Sequence, residues 1–221
     1  MSRVVNCFFK RLIACIFIVG ILLSQSFSSS AHRLDVFNGN YCCQGRPANN
    51  MTLVVNPTAL FGSHFTSSFF ISNYNAWNGI SSNAKITGYF IRTSNSVPLM
   101  IDAINVNGGI PSNNARGEAK YYNCSGTEVS SGSTVHRASI TLNTNISFTS
   151  TTAKRTFLHE LGHIFKLSHP TQSSTFHVGN DANNSNGFPF SIMNPHDINT
   201  PAMVSNTIVT HDISCFAHKW G

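Results

Sequence analysis

The chain has 221 residues, of which 41% are hydrophobic and 10% are charged, and its formal net charge is +6. This length suffices for one domain with a sizeable core, and the hydrophobic fraction excludes an intrinsically disordered chain. Beyond the N-terminal segment, basic residues form no cluster other than the pair Lys154 and Arg155 and do not alternate with aromatic residues, so we expect no nucleic-acid partner.

The N-terminus has the pattern of a secretory signal peptide. Three basic residues precede the apolar segment 12–23, and small residues follow it as far as Ala31. An apolar run of this length is too short to span a bilayer comfortably. We therefore expect residues 1–31 to be removed and the mature protein to be secreted, with no stable membrane insertion. Removal lowers the net charge from +6 to +3, because these residues carry three basic and no acidic side chains.

The remaining chain predicts one α+β domain, and we expect it to be a monomer. Residues 32–50 are polar and irregular, which indicates an N-terminal extension, and the domain proper spans residues 51–221. A helix is predicted from an N-cap at Ser63 to a stop at Gly79, because aromatic residues recur between them at helical spacing. This order of elements favours a mixed sheet. Apolar runs bounded by turn residues predict its strands at residues 51–55, 85–92, 98–106 and 138–144.

Four cysteines follow the signal peptide: Cys42, Cys43, Cys124 and Cys215. An even number in a secreted chain predicts two disulfide bonds. A bridge between the adjacent Cys42 and Cys43 is sterically awkward, so we expect each of them to pair with one of the two distant cysteines. A cysteine metal site is not expected, because the chain has no Cys-x-x-Cys pair.

The segment 158–169, LHELGHIFKLSH, concentrates three histidines and one of the few glutamates in the chain. A second helix is predicted to begin at residues 150–152 and to enter this segment. His159 and His163 then lie one turn apart and project side by side, so both imidazoles can reach one zinc ion. Glu160 lies beside the first ligand, where a carboxylate can act on a metal-bound water.

A catalytic zinc site usually has three protein ligands and an open position for water. No glutamate follows Glu160, which excludes a glutamate ligand from a downstream helix. His169 fits best as the third ligand. The other downstream candidates are His177, Asp181, His196, Asp197, His211, Asp212 and His218.

Two motifs, in this order, resemble those of the metzincin zinc peptidases. The segment 159–169, HELGHIFKLSH, is similar to the signature His-Glu-x-x-His-x-x-Gly-x-x-His, and the segment 191–195, SIMNP, resembles the Met-turn beneath the zinc ligands. Within this clan, the proline after the Met-turn, the Leu-Ser before the third histidine and the C-terminal HDISCFAHKWG are most similar to the matrixins. The resemblance covers roughly residues 51–221.

The resemblance implies a metzincin-like fold, with a mixed twisted sheet, an active-site helix, a Met-turn and a C-terminal helix. It implies one catalytic zinc ion bound by His159, His163 and His169, with Glu160 as general base and Met193 as a hydrophobic floor. The implied activity is that of a secreted zinc endopeptidase, which hydrolyses peptide bonds in proteins by means of a zinc-activated water. A protein or peptide is then the substrate.

An extended substrate is expected to pair with an edge strand of the sheet, with residues 138–144 or a neighbouring strand as candidates. The mature N-terminus of a matrixin lies beside the C-terminal helix, so Cys42 or Cys43 is expected to bridge to Cys215. The sequence makes no prediction about calcium.

One residue departs from the matrixin pattern. Lys166 stands where the family has Gly, at a sharp turn between the second and third ligands. A left-handed backbone there costs a non-glycine residue about 1–2 kcal/mol. Structural zinc binding contributes about 10 kcal/mol, so this strain can be tolerated.

Two alternatives stay open. An aspzincin-like peptidase would use Asp181 or Asp197 as its third zinc ligand. A disulfide-bonded secreted binding protein or toxin would hold a zinc ion without catalysis.

Overall fold

The structure is a computed structural model, which describes residues 48–92, 103–170, 191–194 and 205–221. These residues form an α+β fold with a mixed sheet, as the sequence predicts. The predicted signal peptide and nearly all of the N-terminal extension lie outside the described residues.

The strands are β1 (Met51–Val55), β2 (Ile86–Ile91), β3 (Ala103–Gly109), β4 (Gly117–Tyr122), β5 (Glu128–Val129) and β6 (Arg137–Asn143). The helices are α1 (Ser67–Asn73), α2 (Ser150–Ile164) and α3 (Thr210–Trp220).

The sheet has the strand order β2-β1-β3-β6-β4-β5. β1 pairs in parallel with β2 and β3, and β3 pairs in parallel with β6. β4 runs antiparallel to β6, and the short β5 pairs with β4 only at Tyr121 and Tyr122. β6 thus lies inside the sheet, so the prediction of 138–144 as an edge strand is wrong. In the part of the chain that the structure describes, Gly117 to Lys120 pair with β6 alone, which leaves an outer strand edge there.

Three of the four predicted strands are confirmed, as β1, β2 and β6. They form where apolar side chains alternate or run together, as in β6, where Ala138, Ile140 and Leu142 are buried. Each large side chain that is fully buried in this way contributes about 1.5–3 kcal/mol. The fourth predicted strand, 98–106, overlaps β3, which continues three residues further to Gly109, while residues 98–102 lie outside the described part.

Helix α1 is shorter than predicted. It begins with Thr66 as N-cap, whose hydroxyl accepts a hydrogen bond from the N–H of Phe69, and not with Ser63. The helical part ends at Asn73, and turns continue to Gly79, whose φ of 89° requires the freedom of glycine. The predicted helix end at Gly79 is therefore wrong by six residues, because turns replace the helix after Asn73.

The aromatic residues of this region anchor the helices to one another. Trp77 donates a hydrogen bond from Nε1 to the carbonyl of Leu158 on α2, at 3.1 Å, and its ring stacks on Phe216 of α3. Trp220 of α3 donates from Nε1 to the carbonyl of Phe165 at the end of α2, at 2.8 Å. Both indole rings belong to the buried core, so α2 is held at two points along its length.

The cysteines give a mixed outcome. Cys215 is a buried thiol on α3, and its Sγ lies 3.6 Å from Nε2 of His211, so the expected bridge from Cys42 or Cys43 to Cys215 is not formed. Cys124 is disulfide-bonded, and the connectivity stays a prediction because Cys42 and Cys43 lie outside the described residues.

Among the described residues, no helix combines the length and the apolar character that crossing a membrane requires.

Candidate metal centre

Helix α2 presents two of the three motif histidines. Thr149 starts the helix with a capping box, in which its hydroxyl accepts from the N–H of Thr152 and the Thr152 hydroxyl accepts from the N–H of Thr149. The predicted start at 150–152 is confirmed to within one residue. Regular helix then continues through His159 and His163, which project one turn apart from the same face.

Helix α2 ends in a Schellman motif whose left-handed residue is Lys166, with φ of 69°. The N–H of Lys166 donates to the carbonyl of His163 at 2.7 Å, and the N–H of Leu167 donates to the carbonyl of Gly162 at 3.0 Å. The chain therefore reverses sharply and brings His169 back toward the helix. The expected turn is confirmed, and it carries the strain of about 1–2 kcal/mol that a side chain adds in this conformation.

The three imidazoles converge on one point. Nε2 of His159 lies 3.1 Å from Nε2 of both His163 and His169, and the last two are 3.0 Å apart. Nδ1 of His159 donates to the carbonyl of Ile192, and Nδ1 of His163 donates to that of Leu167, each at 2.8 Å. In this tautomer Nε2 of His159 and Nε2 of His163 each carry a lone pair directed toward the other rings. Lone pairs so close repel one another unless a cation lies between them, and the three histidines are close enough to bind a metal ion.

Burial favours the neutral form of His163 and His169, which is the form that metal binding requires. Desolvation and the neighbouring His169 lower the pKa of His163 to about 4, although the bond to the Leu167 carbonyl partly opposes the shift. Desolvation also lowers the pKa of His169, which lies at the exposed rim of the cluster. At neutral pH no proton therefore competes for Nε2 of His163.

Glu160 lies buried beside the cluster, against strand β4. Burial, with a smaller contribution from the negative charge of Glu118, raises the pKa of Glu160 to about 8, while a hydrogen bond from the Ala119 N–H partly opposes this. Gly117 permits the close approach, since a Cβ there would lie 2.8 Å from both Cγ and Oε1 of Glu160. The strand thus fixes the carboxyl group at the side of the histidine cluster.

A cleft of about 410 Å³ opens over these groups. Its floor contains the three histidines and Glu160, and one wall is the segment from Asn113 through β4, including Arg116 and Glu118. A volume of this size accommodates several residues of an extended peptide or a small ligand. The three histidines and Glu160 therefore line a cleft that is open to solvent.

The segment 191–194 packs against helix α2 next to the cluster. Met193 is buried, and its sulfur packs against Gly162 of α2 so closely that a Cβ there would lie 2.2 Å from Sδ. The carbonyl of Ile192 orients the ring of His159. Met193 therefore contacts the helix that carries the ligands.

Helix α3 holds this segment in place through Asp212. The carboxylate accepts hydrogen bonds from the Ser191 hydroxyl and from the backbone N–H of Ile192 and Val209. The Ser191 hydroxyl in turn accepts from the N–H of Met193 at 2.8 Å. Burial raises the pKa of Asp212, while these donors lower it.

Of the predicted third ligands, His169 is the one that the structure brings to the other two histidines. His211, Asp212 and His218 lie on α3, where Asp212 is committed to the segment 191–194. The remaining candidates, His177, Asp181, His196 and Asp197, lie outside the described residues.

The sequence analysis did not predict strand β4 or the contacts of three residues on it or next to it. Gly117 admits Glu160, Tyr121 donates from its hydroxyl to the carbonyl of His163 at 2.6 Å, and the side chain of Lys166 is fully buried. The alternation in GEAKYY, where Glu118 and Lys120 separate uncharged residues, is a weak strand signal for β4.

The sequence matches no protein-family model, and no curated protein sequence matches it. The likeness to the metzincins consequently rests on the residues of this chain, above all on the histidine motif and on Met193.

Proposed function

We propose that this protein is a secreted zinc-dependent endopeptidase. The observation that carries the proposal is the convergence of three imidazole Nε2 atoms, 3.0–3.1 Å apart, beside a buried carboxyl group on the floor of an open cleft. Three neutral nitrogen ligands with a fourth position open to solvent are typical of catalytic zinc. Structural zinc sites, by contrast, are usually closed by four protein ligands.

His159, His163 and His169 would hold the zinc ion. Their Nε2 atoms form a nearly equilateral triangle, and an ion about 2.0–2.1 Å from each nitrogen fits over its centre. The hydrogen bonds from Nδ1 to the carbonyls of Ile192 and Leu167 fix the two helical rings in the required tautomer. When bound, zinc lowers the pKa of water and polarises a carbonyl group.

Glu160 acts as the general base. Its carboxylate accepts the proton of the attacking water and then passes it to the nitrogen of the leaving amine. Its pKa of about 8 applies without the charge of a metal ion, and a divalent cation nearby favours the ionised form. The Ala119 N–H and the absence of a side chain at Gly117 keep the carboxylate in one position during both transfers.

An extended peptide substrate binds along the outer edge of β4. Gly117, Glu118 and Ala119 border the cleft, and on this edge Gly117 to Lys120 pair with no strand in the described part of the chain. Adding a strand to such an edge satisfies the backbone of both chains and places a peptide bond over the histidines. β4 therefore replaces the segment 138–144 as the substrate-binding strand.

The sequence features carry the rest of the proposal. The signal-peptide pattern of residues 1–31 supports action outside the cell, as a monomer, on protein or peptide substrates. The disulfide predicted for Cys124 agrees with an oxidising compartment.

The test compares the wild type with Glu160→Gln and His169→Ala, measuring zinc content by mass spectrometry and cleavage of denatured proteins and a peptide library. We expect one zinc ion per chain in the wild type and in Glu160→Gln, with cleavage by Glu160→Gln lower by a factor of about 10² to 10⁴. His169→Ala should lose both zinc and cleavage.

The alternatives predict other results. A wild type that binds one zinc ion and cleaves nothing would point to a secreted binding protein or toxin with non-catalytic zinc. Retention of zinc and activity by His169→Ala would favour the aspzincin-like arrangement, with Asp181 or Asp197 as ligand.

A further inference from the structure

Lys166 combines two features that a surface lysine does not have. Its backbone is left-handed, at the C-terminus of α2 where glycine is the usual residue, and its side chain has no exposed surface. A long charged side chain is rarely buried to this extent unless its charge is matched by specific partners.

Those partners come from strand β4 and from the loop after β5. The ammonium group donates hydrogen bonds to the carbonyls of Ser131, at 2.8 Å, and Ser133, at 3.2 Å. It also lies 4.2 Å from the centre of the Tyr121 ring, within the range of a cation–π interaction. Burial and the nearby Lys219 lower the pKa of Lys166 to about 8, so the group is still charged at neutral pH.

The same contacts lead directly to a histidine of the cluster. The Tyr121 hydroxyl and the Lys166 N–H both donate to the carbonyl of His163, at 2.6 and 2.7 Å. The ring of His163 is oriented by the carbonyl of Leu167, the residue that follows Lys166. Two hydrogen bonds to the carbonyl of His163 and one from its ring thus fix the position and orientation of this histidine.

We propose that Lys166 is a positioning residue for the metal centre, which fastens the turn between the second and third histidines to the loop 131–133 and to Tyr121. The inference rests on the proposed zinc site. A glycine at this turn would be free of strain but would leave the segment from α2 to His169 with many conformations, all of which metal binding would have to restrict. The buried ammonium group restricts them before the metal binds, so the third ligand is preorganised.

The test measures the zinc dissociation constant by chelator competition in wild type, Lys166→Met and Lys166→Gly, together with the visible spectrum of the cobalt-substituted proteins. Lys166→Met keeps the length of the side chain and removes its hydrogen bonds. Lys166→Gly removes the hydrogen bonds and also the strain, so it remains informative if the methionine variant does not fold. Lys154→Met, on the exposed face of α2, is the control for loss of one positive charge.

We expect the zinc dissociation constant to rise about 10- to 100-fold in both Lys166 variants, with a changed cobalt spectrum, and to stay near the wild-type value in Lys154→Met. Tyr121→Phe should weaken zinc binding in the wild type, and should do so less in Lys166→Met, because both side chains support the same turn.

The outcomes separate this inference from the proposed function. Wild-type affinity and an unchanged cobalt spectrum in both Lys166 variants, even with a lower melting temperature, would mean that Lys166 serves stability alone and would overturn the inference. A wild type that binds no stoichiometric zinc would overturn the proposed function and the inference with it.

Discussion

Nδ1 of His159 lies 2.8 Å from the carbonyl oxygen of Ile192, although the two residues are 33 positions apart in the chain. The hydrogen bond joins the helix that carries two histidines to the segment that packs next to them. Because a histidine ligand needs its second nitrogen bonded to keep its orientation, the backbone of Ile192 belongs to the candidate metal centre. We therefore expect metal affinity to depend on the residues that hold this backbone in place.

Asp212 supplies that support, so Asp212→Asn should weaken both the fold and the metal site. The amide cannot accept from the Ser191 hydroxyl on one atom and from the Ile192 and Val209 N–H groups on the other, because one of these atoms becomes a donor. We expect a loss of about 1–3 kcal/mol in the free energy of unfolding of the metal-free protein. Zinc affinity should fall by a factor of 10 or more, through the shifted carbonyl of Ile192.

Urea unfolding and chelator competition measure the two effects of Asp212→Asn. Ser191→Ala is the matched comparison, because it removes only one of the three donors and should cost less in both assays. Unchanged zinc affinity in Asp212→Asn would show that the segment 191–194 keeps its position without this carboxylate.

Gly162→Ala should destabilise the protein through a clash with Met193. The new Cβ would lie 2.2 Å from Sδ of Met193 and 3.0 Å from the Trp77 ring, which leaves no room for it in the core. Overpacking of this kind costs about 1–3 kcal/mol, measurable as a lower midpoint of urea unfolding. Gly132→Ala is the control, since nothing lies near its Cβ.

A second-site substitution identifies the cause of that loss. In a Met193→Ala background the sulfur is absent, so Gly162→Ala should cost clearly less than in the wild type. An equal cost in both backgrounds would mean that the contact with Met193 is not the reason.

The sequence predicts those elements of this fold whose signals lie in consecutive residues. β1 and β6 have apolar alternation, α2 has hydroxyl residues at its start, and the spacing of His159 and His163 requires only a helix. Each of these signals lies within one element, so no knowledge of the tertiary structure is needed to interpret it.

β4 was missed because of its position in the tertiary structure. α2 approaches the strand closely at Gly117, and Gly117 and Ala119 provide little of the apolar surface by which strands are recognised. The role of Lys166 was equally hidden. The motif predicts its left-handed backbone, but its burial depends on the carbonyls of Ser131 and Ser133, more than 30 residues away.

The pKa of His163 predicts a pH dependence for the metal-free protein. Its value of about 4 in the folded state lies below the ordinary 6.5, so between these values the unfolded chain binds a proton that the folded chain does not. The free energy of unfolding therefore rises with pH across this window. The contribution of His163 is present above pH 6.5 and is lost as the pH falls toward 4. Urea unfolding in the presence of a chelator, at several pH values, measures the slope.

His163→Gln is the comparison for this pH effect, because glutamine does not titrate. The variant should have a smaller slope between pH 4 and 6.5 than the wild type. Equal slopes would assign the acid sensitivity to groups other than His163.

Gly117→Ala should impair catalysis while leaving the metal in place. The added Cβ would lie 2.8 Å from Cγ and Oε1 of Glu160, and since β4 is held by its pairing with β6, the carboxylate is the group that moves. A displacement of about 1 Å at the reacting groups costs on the order of 10² in rate, so we expect kcat to fall about 100-fold with KM and zinc content near the wild-type values. Gly109→Ala, on β3, is the control, because its Cβ would make only an ordinary contact at 3.4 Å with Thr141. Since Glu160→Gln sets the rate that remains without the base, Gly117→Ala should fall between that rate and the wild type. Full activity in Gly117→Ala would mean that strand β4 does not position the proton acceptor.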